Sequence, residues 1–516
     1  MFTPTITVYY GSLINPTTLT SYETITGCLI AVNAHGNIDW IIHDVKDSSI
    51  QETLLQKGLF DVDVTIVPLQ EGQFIMPGFV DTHTHAPQVP NTGTGYQSEL
   101  LDWLENFTFP MEANFQDVDF AKKVYPSIIK KFIASGTTTC CYYGTLHLES
   151  NKVLTDIVHS LAQTLSRPTS VDWRTLTPYL NKLQAHRMDA LSPQKCNMDR
   201  NCPSYYIEPS SSRSISDTQA FISYVRSLSP GPSNNPGNPL IYPVVTPRFA
   251  ISCTNELLSS LKTLVHLDTR LHIQTHISEN MKEVEYTKEL YPDCEHYAGV
   301  YDSYGLLRNN TILAHAIWLQ EKEIDLVKER EVGLSHCPTS NFNLRSGIAP
   351  IGKYLDRGVK IGLGTDVSGG FSASMLVAMR NASIASTVVA LQNNPTNAPI
   401  EEGKFTNRQL PLATLLYLAT KGGAEVCVLD HQIGSLEPGK SFDALIVDVS
   451  SISSTSKWPG DVDPALRKIS TTTSSLRSSS RAILEGLLEK FVFCGDDRNV
   501  FAVFVQGKLI GGTSYA

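Results

Sequence analysis

Asp81-Thr82-His83-Thr84-His85, Thr275-His276-Ile277-Ser278-Glu279, Ala314-His315 and Gly364-Thr365-Asp366 follow one another along the chain, each closing an apolar, strand-like run. Side chains on a strand alternate faces with period two, so His83 and His85 point to the same side and can grip one ion together. With His276 and Asp366 they make three imidazoles and a carboxylate, a donor set suited to a divalent, borderline-soft metal such as zinc, with room left for water. A bound metal brings that water's pKa toward neutrality, so hydroxide becomes available as a nucleophile. A pair of hydrogen-bonded core histidines would explain an isolated H-x-H. What favours the metal is the order of all four residues, each at the end of its own strand.

Glu279 lies three residues past His276, close enough to shuttle protons without being a ligand. Asp366, against a cation, should remain ionised and can accept a proton from the attacking water, while Glu279, near a desolvated substrate, can carry one to the leaving group. The plainer reading of Glu279 is a charge at a helix N-terminus. His315 has three readings: a further ligand, a satisfied core histidine, or a group that orients the water and stabilises an oxyanion, the last being favoured. Glu279, Asp366 and His315 are therefore the catalytic candidates. His336 also ends a strand-like run, where packing accounts for it equally well, and His147, His186 and His296 read as loop residues.

These residues need a frame that brings distant strand ends together. Residues 79–83, 137–143, 241–246, 271–276, 312–315, 332–337 and 360–364 read as strands, with amphipathic stretches between them. In 118–135, for example, Val118, Ala121, Val124, Tyr125, Ile128, Ile129 and Phe132 recur at helical spacing before Gly136. A weak strand at 196–198 brings the count to eight, and eight βα units close into a barrel whose site lies at the strand C-terminal ends. Before the barrel, residues 7–10, 28–32, 39–42 and 65–68 are short β-rich runs separated by Gly/Asn turns, which predicts an antiparallel layer. The same texture returns after Gly434. The expected fold class is α/β: a (β/α)8 barrel over 77–430, with a small β-sandwich built from both termini, 1–76 and 431–516. Three stretches carry little structure signal: 167–195, interrupted by Pro168, Pro178 and Pro193; the Pro/Gly/Asn-rich 229–239, read as a surface loop; and the Ser/Thr-rich 450–480, read as partly mobile.

Bulk properties agree with a soluble enzyme. At 516 residues, with 41% hydrophobic and 18% charged residues, the chain is long enough for a large catalytic unit plus a smaller one. Nothing approaches the roughly 20 uninterrupted apolar residues of a membrane span, and Met1-Phe2-Thr3-Pro4 lacks the features of a signal peptide. The ten cysteines form no C-x-x-C pair, which suits a reducing compartment and leads to an expected cytoplasmic location. A net charge of −10 without a dense Lys/Arg run disfavours nucleic acid and anionic membrane as partners and suits a small uncharged substrate.

The motifs resemble the amidohydrolase superfamily and, within it, the guanine deaminases. The resemblance rests on Pro77-Gly78-Phe79-Val80-Asp81-Thr82-His83-Thr84-His85-Ala86-Pro87-Gln88, Trp103-Leu104, Thr108-Phe109-Pro110-Met111-Glu112, Val245-Thr246-Pro247-Arg248-Phe249, His276-Ile277-Ser278-Glu279-Asn280, Gly362-Leu363-Gly364-Thr365-Asp366-Val367-Ser368-Gly369-Gly370 and Gly495-Asp496-Asp497-Arg498-Asn499. It implies the barrel-plus-sandwich fold, a homodimer, and zinc-dependent hydrolysis of guanine to xanthine and ammonia, with hydroxide attacking C2 and Glu279 as proton shuttle. By position, His83, His85, His276 and Asp366 would bind the zinc. Dinuclear relatives carry a modified lysine on the fourth strand; that run here has none and ends in Arg248, so one zinc per chain is implied. The guanine pocket would be lined by His85, Ala86, Pro87, Gln88, Arg248, Phe249, His276, Glu279, His315 and Asp366. Phe249 suits the flat face of the base, and Arg248 or the Gln88 amide suits its O6 acceptor. The departure from the family is 167–195, an insert of about two dozen residues where the third strand should form. The rival readings are another hydrolase of the superfamily, acting on a different purine, a pterin or a chlorinated triazine, and a scaffold that has lost its metal.

Overall fold

The computed structural model describes residues 6–59, 64–163, 189–228, 239–394, 396, 399, 401–450 and 476–515. Among the described residues five strands precede the barrel: β1 (Ile6–Thr18), β2 (Ser21–Val32), β3 (Ile38–Ile42), β4 (Val64–Pro68) and β5 (Gln73–Pro77). The barrel strands are β6 (Phe79–His85), β7 (Thr137–Tyr143), β8 (Asp189–Gln194), β9 (Cys196–Asn197), β10 (Ile241–Tyr242), β11 (Val244–Pro247), β12 (His272–Ile277), β13 (Thr311–His315), β14 (Gly333–His336) and β15 (Lys360–Leu363). After them come β16 (Ala444–Asp448), β17 (Val500–Val505) and β18 (Lys508–Gly511).

The barrel strands run parallel. β6 pairs β7, β7 pairs β8, β8 pairs β10, β9 pairs β11, and β11 to β15 pair in succession. β8 with β9 is the third barrel strand and β10 with β11 the fourth, each broken once. Pro243 makes the second break, because it has no N–H to give to the ladder. The seam between the last strand and the first is closed beyond the regular ladder: Asp366 N donates to His83 O at 2.9 Å, His85 N to Val367 O at 3.1 Å, and Thr82 Oγ1 to Leu363 O at 2.8 Å.

Sequence periodicity identifies the helix after β6 well. It runs over Val118–Ala134, with Asp117 as N-cap accepting from Asp119 N, and ends where Gly136 turns at φ +87°. Ala121, Tyr125, Ile128, Ile129 and Phe132 are buried as expected, joined by Ile133, while Val118 and Val124 are only half-buried. The third strand differs from expectation. Its first half, β8, occupies 189–194 and so lies within the stretch read as an insert; Pro193 and the poor strand-forming character of Met188-Asp189-Ala190 hid it. The remainder of that stretch, through 188, lies outside the described residues, as do 229–238 and 451–475 of the other two structure-poor segments.

The terminal strands join as one eight-stranded sheet in the order β18-β17-β16-β5-β1-β2-β3, with β4 also on β1. The N- and C-terminal parts meet where β5 pairs antiparallel with β16. β1 bends at a bulge between Gly11 and Leu13, so its first half pairs β4 and its second half β5. The sheet thereby wraps around a core containing Tyr9, Leu13, Ile30, Ile75, Phe442, Ile446 and Phe504. The layer is mixed, whereas the turns predict an antiparallel one: β4 and β5 run parallel to β1. A parallel neighbour needs a crossover, and the short helix Ile50–Gln56 between β3 and β4 lies in that connection. Below the barrel, helix Leu476–Cys494 buries Leu484, Leu488, Phe491 and Val492 in the same core as Phe74 and Phe79, making that core continuous between sheet and barrel. Among the described residues one helix, Met375–Asn393, is long and apolar enough to cross a membrane by length and composition, but Met375, Leu376, Ala378, Met379 and Ala382 are buried in the barrel core.

Candidate active site

β6 delivers His83 and His85 to the barrel mouth, fully buried, while Asp81 on the same strand binds across the seam. The Asp81 carboxylate accepts from Thr365 N at 3.0 Å and from Thr365 Oγ1, which fixes the loop carrying Asp366 against the first strand. Burial pushes Asp81 up to about 7 even though those hydrogen bonds oppose the shift. β12 carries His276 one residue before its end, and the His276 Nδ1 meets Arg248 O at 2.6 Å, which makes Nδ1 the protonated nitrogen and leaves the Nε2 lone pair free. Across the mouth His85 Nε2 and His276 Nε2 lie 3.3 Å apart, and Asp366 Oδ1 is 3.3 Å from the Nε2 of both His83 and His85.

This arrangement fits a cation. His83, His85 and His276 form one group able to hold a metal, and His83, His315 and Asp366 another. His83 Nε2 and His315 Nε2, both directed at Asp366, are buried without a hydrogen-bond partner, a costly state for polar atoms that a Lewis acid would relieve. Burial lowers the pKa of His83, His85 and His276, favouring the neutral form that ligates a metal.

The two carboxyl groups behave oppositely. Burial, followed by the charge of Asp366, raises Glu279 well above the ordinary glutamate range. Asp366 is pushed up by its own burial, but the neighbouring imidazoles, His83 first and then His315 and His276, carry it below the ordinary aspartate range. His315 Nε2 stands between them, 3.3 Å from Glu279 Oε2 and 3.7 Å from Asp366 Oδ2, and its Nδ1 is held by Asn341 Oδ1 at 2.9 Å. The backbone is bent to place these groups: Ser278, His315, Ala316 and Asp366 all have positive φ (47°, 72°, 49° and 45°). Left-handed backbone at residues with a Cβ costs on the order of 1–3 kcal/mol each and gathers where chemistry requires an aim the regular strand cannot give.

Beside this cluster lies a polar wall. Arg248, 1% exposed, gives both terminal nitrogens to Glu112, Nη1 to Oε2 at 2.6 Å and Nη2 to Oε1 at 3.0 Å, and its guanidinium carbon sits 5.3 Å from the centre of the Phe109 ring. Its Nε has no partner. Gln88 Nε2 donates to Glu112 Oε1 at 2.8 Å, Tyr206 Oη donates to Glu112 Oε2 at 2.6 Å, and Ser368 N donates to Gln88 Oε1 at 3.3 Å. Phe249 packs its ring 5.8 Å from His276 and belongs to an apolar cluster with Leu100, Trp103, Phe109, Tyr143 and Tyr206. Ala86 and Pro87 are buried in the turn that leaves His85.

The structure therefore brings together His83, His85, His276, Asp366, Glu279 and His315, with Gln88, Arg248 and Phe249 adjoining. Of the histidines set aside, His296 caps the helix Tyr297–Ser303, His147 lies edge-on to Tyr206, and His336 is buried with its pKa lowered to about 3 by desolvation; His186 is outside the described residues. Sequence reasoning missed Asp81, Glu112, Tyr206 and Asn341 as site residues. Asp81 and Glu112 lie inside the quoted motifs, so a signal for them existed; a lone Tyr or Asn in a loop or short helix offers none.

The Amidohydrolase family matches residues 74–510. The chain is 38% identical over 508 residues to a probable guanine deaminase of Schizosaccharomyces pombe, covering 98% of this chain and 84% of that one. It is 35% identical to the guanine deaminase of Dictyostelium discoideum, covering 98% of each. Among solved structures it is similar to the guanine deaminase of C. acetobutylicum with guanine bound in its active site, with a TM-score of 0.75, 32% identity, and coverage of 98% of this chain and 100% of that one.

Proposed function

The chain belongs to the amidohydrolase family, among its guanine deaminases, and from that premise we propose that it hydrolyses guanine to xanthine and ammonia. The observation that carries the reading is the pair Glu279 and Asp366, two buried carboxyl groups with opposite proton affinities on either side of His315 Nε2. Environments that drive two titratable groups apart divide acid and base work between them. His83, His85, His276 and Asp366 would hold one zinc per chain, a donor set supported by the close approach of their ligating atoms at the barrel mouth. Zinc bound there would supply a water acidic enough to give hydroxide near neutral pH.

The chain's own groups do the rest. Asp366, anionic, takes a proton from the water at its carboxylate, and Glu279, neutral, holds a proton for the amino nitrogen that leaves C2. His315, fixed at Nδ1 by Asn341, orients the water and the oxygen forming at C2. Phe249 lies on the face of the base, Gln88 and Arg248 give donors to O6, and His85, Ala86 and Pro87 complete the wall. The fully buried setting excludes bulk water from the reacting groups.

Guanine consumption followed by absorbance, with adenine, cytosine and pterins as controls and ammonia measured in parallel, tests the activity. Turnover of a pterin or triazine in preference to guanine would overturn it. The proposal extends to a cytoplasmic homodimer, in keeping with ten free cysteines and tested by fractionation and by molar mass in solution.

A further inference from the structure

Glu112 lies outside the hydrolytic cluster, yet four donors converge on it: the two terminal nitrogens of Arg248, the Gln88 amide and the Tyr206 hydroxyl. It is 0% exposed, on the short helix Phe109–Ala113, and Arg248 heads the largest fully buried side chains among the described residues. A buried carboxylate with both oxygens engaged by donors has no capacity left for substrate. Its influence falls on its neighbours.

The Gln88 amide shows how. It has an acceptor on one flank, Glu112 Oε1, and a donor on the other, Ser368 N, so both contacts select the same one of its two flipped orientations. In that orientation the carbonyl oxygen is turned to the main chain, and the remaining free function on the nitrogen is a second N–H. Arg248 is fixed in the same way. Its fork is held by Glu112 and stacked over Phe109, which leaves its partnerless Nε–H as a donor. Neither residue offers an acceptor.

We propose that Glu112 is a positioning residue that makes this wall a set of donors only, and that this is what selects a purine bearing a carbonyl at C6. The inference rests on the reading of Gln88 and Arg248 as guanine contacts. A base with an amino group at C6 would set donor against donor, leaving one buried N–H unpaired, and a site built to hydrogen-bond a group rejects analogues that cannot complete the bond. With Glu112 changed, only the 3.3 Å contact from Ser368 N still selects the amide orientation, so the amide flips more readily to present its oxygen, and the guanidinium loses its fixed plane.

The test uses the zinc-loaded enzyme and two ligands that have no amino group to lose: hypoxanthine, which keeps the C6 carbonyl, and unsubstituted purine, which lacks it. Dissociation constants are measured by calorimetry for wild type, Glu112→Gln, Glu112→Asp and Tyr206→Phe. Glu112→Gln should weaken hypoxanthine at least tenfold while purine changes less than twofold, and KM for guanine should rise more than kcat falls. Glu112→Asp retains the charge and should recover part of the loss; it also serves if the glutamine variant does not fold. Tyr206→Phe, which removes one donor to Glu112, should give a smaller effect in the same direction. Equal weakening of both ligands, or of neither, overturns the proposal. If wild type deaminates guanine but binds hypoxanthine no better than purine, the positioning role fails while the activity stands. If wild type does not act on guanine, it is the functional reading that fails.

Discussion

His276 donates its Nδ1–H to the carbonyl oxygen of Arg248 across 2.6 Å, so an imidazole of the candidate metal cluster hangs from the peptide that carries the Arg248 guanidinium. A partner on the second ring nitrogen fixes tautomer and ring plane, and here that partner is main chain. Replacing the Arg248 side chain leaves it in place.

Arg248→Ala should therefore keep its zinc and lose guanine processing. It should also lower stability by about 3–5 kcal/mol, because the Glu112 charge stays buried without its partner. Metal analysis, guanine turnover and denaturant unfolding on one preparation check all three. The double variant Arg248→Met/Glu112→Leu should recover most of the stability and none of the activity. Full activity in either variant would remove Arg248 from the pocket.

Wild-type protein should hold about one zinc per chain, as a site of three imidazoles and a carboxylate demands. His83→Ala and Asp366→Ala should each lose most of it, measured by elemental analysis after dialysis. Two tightly held ions would mean that a further group completes a second site.

Glu279→Gln keeps the size of the side chain and removes its transferable proton. Turnover should drop by roughly 100-fold or more, within the usual contribution of acid–base groups, with zinc content and ligand affinity little changed. Near-normal turnover would assign the proton to another group.

His272, at the start of β12 and remote from the mouth, predicts a pH dependence of stability. Burial lowers its pKa to about 4 from an ordinary 6.5. Above pH 6.5 it is neutral folded or unfolded and contributes nothing. As pH falls from 6.5 to 4 the unfolded chain takes up the proton first, so stability declines, by roughly 3 kcal/mol in all. Denaturant unfolding of His272→Phe and wild type at pH 7, 5.5 and 4.5 should show the difference between them moving in favour of the variant as pH drops. A constant difference would mean that His272 protonates equally easily in both states.

The convergence of His83, His85, His276 and Asp366 was legible because these residues carry rare chemistry at the ends of short apolar runs, each announced by the strand before it. The barrel was legible for the same reason, since parallel strands buried on both faces read as apolar runs. β8 was not, because Pro193 and Asp189 disguise it, and only its pairing with β7 and β10 makes it a strand. Nor was the parallel placement of β4 and β5 on β1, since turn residues report hairpins between neighbours in sequence and say nothing of strands that return from a distance. Glu112 illustrates the limit at the site. An acid in a short helix looks like a solvated charge until the fold brings Arg248, 136 residues later, against it.

The seam that closes the barrel is made by peptide groups of the candidate ligands and of Val367 beside them: Asp366 N donates to His83 O, and His85 N to Val367 O. The cluster thus cannot assemble before the ring is complete: contacts separated by almost three hundred residues, among the last for a folding chain to form because of their loop entropy, are the ones that create it. An ion bridging His83 and Asp366 would rivet the first strand to the last. Stripping it should loosen this joint first, so that amide exchange quickens at His85 and Asp366 while the sheet of the termini keeps its protection.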